Sequence, residues 1–191
     1  MSAKIDPSDA LVLLIDLQAG IADKPLTVPY KDLQKGVGGL SQIAKLFEIP
    51  VVISALQQPA GSDAKIMPEI GQALGDYAVH YRTSADSLEN EAIKAAIEAT
   101  GRKTLLIGGT VTEIAVQMAA LSGVALGYRV FVVVEAVAGA SRRTEEAAFH
   151  RLLQAGATTT SATALCLEIA GDFRQPKGEQ AMAILSELIG G

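Results

Sequence analysis

The chain is expected to fold as an α/β protein, a parallel sheet of six strands sandwiched between helices, and two observations point there. Short continuous apolar runs, such as ALVLLID (Ala10 to Asp16) and RVFVVVE (Arg129 to Glu135), have the composition of strands buried on both faces. Longer segments between them carry apolar residues at helical spacing. Strands and helices therefore alternate, and right-handed crossovers make such a sheet parallel. A length of 191 residues suits one domain over residues 1–191, with a core that needs no metal or disulfide.

In chain order, Ala10 to Asp16 is the first strand and leaves Asp16 at its end. Ile21 to Pro29 contains Pro25 and Pro29 and reads as loop. Tyr30 to Phe47 places Leu33, Val37, Leu40, Ile43, Ala44 and Phe47 on one helical face. Gly36, Gly38 and Gly39 weaken that helix by about 1 kcal/mol each relative to Ala, so close packing against a neighbour is expected to offset them. VVIS after Pro50 is the second strand, Gln57 to Ser62 a loop, and a short helix or irregular segment runs through Leu74. Tyr77 to Tyr81 is a third strand whose exit presents Arg82.

Ser87 is expected to cap a helix from Leu88 to Thr100. The stretch KTLLIGGTVTEIAVQMAALSGVALGY then reads as strand, Gly108-Gly109 turn and helix, with Thr110 or Thr112 as the cap and Ile114, Met118, Leu121 and Ala125 as the helical stripe. Arg129 to Glu135 is the fifth strand, Arg142 to Gly156 a helix, Ala157 to Ser161 the sixth strand, and helices near Ala162 to Phe173 and Gln180 to Leu188 close the chain.

Bulk composition excludes several functions. A formal charge of −5 without a Lys/Arg cluster argues against nucleic acid as a partner. The apolar runs are too short to span a bilayer, and a charged N-terminus makes a cytoplasmic protein the expectation. The single cysteine, Cys166, rules out an internal disulfide and lies in an apolar run, as a buried structural thiol does. No histidine pair suits a metal and no phosphate-loop signature follows Gly108-Gly109, so neither metal nor cofactor is expected.

In a parallel sheet every strand exits at the same rim. Asp16, Arg82 and the turn from Thr110 to Ala115 should therefore share one edge, where helix N–H groups can face a small ligand. Taken singly, each has a plainer explanation: a strand-end Asp caps a turn, and a lone Arg is a solvated cation.

DALVLLIDLQAGI, YAVHYR and LLIGGTVTEIAVQMAALSGVALGYRVFVVVEAVAG together resemble the isochorismatase-like cysteine hydrolases, in particular their small YcaC-type branch, over roughly Asp9 to Phe173. That resemblance implies a three-layer Rossmann-like fold and a triad of Asp, Lys or Arg, and Cys. Asp16 matches the acid, and either Arg82 or Tyr81 the basic member. It also implies a cis peptide at Thr110-Val111, substrate contacts from Gln18, Thr110, Val111 and Thr112, and a homo-oligomer, dimer or larger. Where the family's nucleophilic cysteine belongs, this chain has Ala115. Glu135 and Leu88 also depart from the residues common in similar chains, an Asp and an aromatic.

Four functions stay open on these residues. A methyl group cannot attack a carbonyl, so a thioester route is closed. The isochorismatases that the chain resembles also lack the cysteine and protonate an enol carbon, which gives Asp16 the role of general acid, with Arg82 holding a substrate carboxylate. A binder of a small carboxylate- or amide-type metabolite that has lost catalysis, and an amidase whose cysteine was replaced by alanine, are the alternatives. A purely structural oligomer subunit is a fourth.

Overall fold

The computed structural model describes residues 4–58 and 63–190. Six strands form one parallel sheet: β1 Ala10–Ile15, β2 Val51–Leu56, β3 Val79–Arg82, β4 Thr104–Thr110, β5 Arg129–Ala138 and β6 Thr158–Thr160, in the order β3-β2-β1-β4-β5-β6. The chain winds outward from β1 in one direction and then, from β4, in the other. The reversal leaves β1 and β4 adjacent, with Ile15 paired to Gly109, and a crevice at their carboxyl ends is the ligand position that this topology favours.

Strand periodicity sorts the core. Ala10, Val12 and Leu14 face one cluster with α1 (Tyr30–Leu46), α2 (Pro68–Leu74), α6 (Ala162–Ala170) and α7 (Pro176–Ile189). Leu11, Leu13 and Ile15 face the other, with α3 (Glu91–Ala99), α4 (Gln117–Ala125) and α5 (Arg142–Ala155). All six β1 residues are buried, as an all-apolar central strand requires. On α1, Leu33, Val37, Leu40, Ile43 and Ala44 are buried. Its glycines do serve close packing: a Cβ on Gly36 would stand 1.8 Å from the Glu135 carbonyl oxygen, and one on Gly39 2.5 Å from Leu188. Gly38 is the exception, with only Glu69 at 3.5 Å.

Several expectations are corrected. Gly108 and Gly109 do not turn the chain. β4 runs through them to Thr110, where a Cβ on Gly109 would lie 2.5 Å from the Ile15 carbonyl oxygen. Neither Thr110 nor Thr112 caps the next helix, which begins as a π-turn, Thr112–Val116, and continues as α4. That wider turn shifts the helical face. Ile114, expected inward, is 50% exposed, and the buried positions are Ala115, Val116, Ala119, Ala120 and Gly123. Small side chains are needed there because a Cβ on Gly123 would meet Leu105 at 2.8 Å. Ala119 and Ala120 thus pack on this chain's own sheet.

Ser87 caps nothing. It lies in a 3-10 turn, Ser87–Glu89, capped by Asp86, while Asn90 accepts from the N–H groups of Ala92 and Ile93 to start α3. β2 and β5 extend past their expected ends to Leu56 and Ala138, and Arg82 is the last residue of β3 rather than the first beyond it. Of the expected loop from Gln57 to Ser62, residues 59–62 lie outside the described residues. Among those described, no helix is long and apolar enough to cross a membrane.

Candidate active site at the rim of strands 1 and 4

Asp16 follows β1 directly and keeps its strand pairing, donating its N–H to the Ser54 carbonyl at 2.9 Å. Its φ of 53° is left-handed, a conformation that Asp tolerates better than most residues and that turns its side chain along the rim. Oδ1 accepts from the Leu56 N–H at 3.0 Å and Oδ2 from Arg82 Nη2 at 2.6 Å. The Asp16 carbonyl accepts from Thr110 Oγ1 at 2.8 Å, which ties the ends of β1 and β4 together.

Arg82 reaches Asp16 from β3 by crossing β2 over Ser54, whose side chain is small enough to leave that lane open. Nε donates to Ser54 Oγ at 3.0 Å and to Ser87 Oγ at 3.1 Å, and Nη1 donates to the Ser84 carbonyl. Arg82 is 1% exposed and Asp16 3%, so this is a buried ion pair and the solvated-cation reading of Arg82 fails. Tyr81 points away, its hydroxyl accepting from the Ala64 N–H at 3.2 Å and donating to Asp63 at 3.4 Å. Arg82, not Tyr81, is therefore the basic residue that meets the acid. Every guanidinium nitrogen already donates within the protein and the side chain is buried, so little of Arg82 is left to hold a substrate carboxylate.

Burial pushes the Asp16 carboxyl above the ordinary carboxylate range, against the opposing pull of the Arg82 charge and hydrogen bond and of the Leu56 N–H. The other expected contact side chains are also committed. Gln18 is fully buried, its Oε1 accepting from the Leu56 N–H at 2.9 Å and its Nε2 donating to the Leu56 carbonyl at 3.2 Å. Thr112 Oγ1 donates to Glu145 at 2.8 Å. Val111 is half-buried, and the Thr110-Val111 peptide is cis. Ala115 is 3% exposed, in one apolar cluster with Ile15, Leu88, Val116 and Ala119. β1 and β4 are neighbours, and the turn carrying Ala115 follows β4 as Asp16 follows β1, so both leave the sheet at the same edge.

Residues that sequence reasoning passed over complete this corner: Ser54 and Ser87 on Arg82, and Leu56 as backbone partner of both Asp16 and Gln18. The sequence signal was faint, serines close to an arginine in a loop. Cys166 lies elsewhere, fully buried on α6 with Sγ donating to the Ala181 carbonyl at 3.4 Å, and burial raises its thiol. Glu135 accepts from the Ala162 N–H at 2.8 Å and so caps α6. An open groove of about 710 Å³ runs between α1, α2 and α7, and Asp16, Arg82 and Ala115 are not among its lining residues. Within it Gln34 pairs with Glu69 and Gln42 with Glu187, while, among the described residues, Glu69 Oε2 is buried without a hydrogen-bond partner; the converging strand ends are preferred because this topology favours a ligand there.

Residues 10–164 match the sequence profile of the isochorismatase domain. The chain belongs to the isochorismatase family. It is 32% identical over 172 residues to the probable hydrolase YcaC of Escherichia coli K12, covering 90% of this chain and 82% of that protein. The fold is similar to the crystal structure of the E. coli YcaC gene product, described as an octameric hydrolase of unknown specificity, with a TM-score of 0.88, 30% identity, and 99% of this chain and 92% of that one covered. It is similar also to Pseudomonas aeruginosa YcaC with hexane-2,5-diol and covalent acrylamide, with a TM-score of 0.89, 28% identity, and coverage of 99% and 93%. Membership in the isochorismatase family makes this a hydrolase-like protein with an α/β fold, and Asp16 and Arg82 form a buried ion pair at its rim.

Proposed function

We propose that this isochorismatase-family chain binds a small carboxylate- or amide-type metabolite at the rim between β1 and β4, and that it forms no thioester because position 115 carries a methyl. The observation that carries the reading is a buried Asp16–Arg82 pair at the end of β1 together with an alanine in the turn that follows the neighbouring β4. A sulfur at Ala115 would complete an acid, a base and a nucleophile, whereas the residues present can bind and orient but cannot attack. Because the side chains of Arg82, Gln18, Thr110 and Thr112 are all engaged, recognition falls to the backbone from Thr110 to Ala115.

The wild-type protein and an Ala115→Cys variant, each incubated with nicotinamide and with benzamide, test this directly. A rise in melting temperature with ammonia release only from the variant is the expected result. Ammonia release from the wild type overturns it, and so does the absence of any melting shift in either protein.

A second reading is favoured by burial, which raises the Asp16 carboxyl and so makes a proton available nearer neutrality. On it, Asp16 is the general acid of a vinyl-ether cleavage of the isochorismatase type, with water completing the reaction. Isochorismate turnover that Asp16→Asn abolishes establishes this second reading over the first. We also propose a homo-oligomer, dimer or larger. The octameric E. coli relative supports it, as do the exposed apolar side chains Ile114, Leu126 and Leu153.

A further inference from the structure

Two serines flank the Arg82 guanidinium. Ser54 comes from β2 and Ser87 from the 3-10 turn, both are fully buried, and their hydroxyl oxygens stand 2.9 Å apart. Arg82 Nε donates into the notch between them, at 3.0 and 3.1 Å, while Nη1 donates to the Ser84 carbonyl. A guanidinium is planar, so holding Nε and Nη1 fixes the direction of the third nitrogen, Nη2, which is the one that meets Asp16.

We propose that Ser54 and Ser87 are positioning residues that act through Arg82: they hold the guanidinium in the plane that aims Nη2 at Asp16, and so set how readily Asp16 takes up a proton. The inference rests on Asp16 and Arg82 being the site's charged pair. Among the described residues, no other charged side chain is bonded to Asp16 or Arg82. From β2 and β4, Ser54, Leu56 and Thr110 meet Asp16. Asp86 on the neighbouring turn is bound to the Leu88 N–H and to Ser122, and Glu113 on the π-turn is bound to the Ala140 N–H and Thr144. A lysine at position 82 would have no such fork to orient, so the serines matter only with an arginine in place.

The test follows the Asp16 carboxyl by ¹³C NMR through a pH titration. Wild type is compared with Ser54→Ala, Ser87→Ala, Arg82→Lys, and Arg82→Lys combined with each alanine change. Losing one acceptor lets the guanidinium swing, and a hydrogen bond of ordinary net strength corresponds to about a threefold to tenfold rise in the proton affinity of Asp16 for either serine variant. In the Arg82→Lys background the same alanine changes should leave the midpoint where Arg82→Lys alone puts it.

Ser54→Cys and Ser87→Cys nearly keep side-chain volume while offering only a weak acceptor, and serve as the same test if the alanine variants fold poorly. Folded serine variants whose Asp16 titrates as in the wild type overturn the proposal, as does an equal shift in the lysine background. The titration needs no ligand. A protein that binds nothing still reports on the serines, and the melting shifts with amides judge the binding reading separately.

Discussion

Replacing Arg82 with methionine removes one half of a buried ion pair and keeps most of the side-chain volume. The paired side chains are 0% and 4% exposed and 2.6 Å apart, so the variant leaves Asp16 with only the Leu56 N–H in a place that water does not reach. Breaking a buried pair from one side costs about 3–5 kcal/mol, and the Ser84 carbonyl that loses its donor adds about 1 kcal/mol. For a chain of this length each kcal/mol is worth about 2–4 °C, which places the fall in melting temperature at about 8–24 °C. The pH dependence has a definite sign. Burial already raises the Asp16 carboxyl, and deleting Arg82 removes the largest influence opposing that rise. An acid whose folded pKa lies above its unfolded value contributes stability that is complete below the unfolded pKa and is lost as pH rises through the folded one. The deficit of Arg82→Met should therefore be small at about pH 4.5 and full at about pH 7.5, measured as urea unfolding free energies against wild type. Asp16→Asn/Arg82→Met, with neither charge left, should recover much of the loss at neutral pH. A deficit that ignores pH, or a double variant as unstable as the single, would refute the view that burial of an uncompensated carboxylate sets the cost.

Two glycines on one helix should behave oppositely. Gly36→Ala drives a Cβ into the Glu135 carbonyl oxygen and should unfold or strongly destabilise the protein, whereas Gly38→Ala meets only ordinary contact with Glu69 and should gain about 0.5–1 kcal/mol in thermal melts. Cys166, buried with a raised thiol, should resist a thiol reagent in the native protein and react once unfolded, so rapid native labelling would contradict its place in the core. Ala115→Cys should acquire an acrylamide adduct, detectable by intact mass, at a rate at least tenfold above that of Cys166, since position 115 is at the rim and position 166 is behind α7. Velocity sedimentation at micromolar concentration should show a species larger than a monomer.

Much of the fold could be read from the chain because the central strands β1 and β4 are nearly continuous apolar runs, and a strand buried on both faces leaves little ambiguity. The rim position of Asp16 and of the 110–115 turn followed from strand direction alone. What escaped the sequence was set by contacts between distant segments. The face of α4 was misplaced because a π-turn inserts ahead of it, a feature without a compositional mark, and Ile114 looks as apolar as its buried neighbours. Ser87 has the composition of a helix cap, yet β2 and Arg82 draw it inward. Arg82 looked free for a ligand because serine and backbone acceptors from loops give no periodic signal.

The central claim is that Asp16, Arg82 and Ala115 line one ligand site that lacks only a nucleophile. The most direct measurement is a methyl NMR titration of the wild-type protein with benzamide, following the Ala115 methyl together with that of Ala181 in the distant core beside Cys166. The account requires the Ala115 signal to move saturably while Ala181 stays still and no ammonia appears. An unmoved Ala115 methyl at saturating amide, with some other part of the protein responding instead, would contradict it.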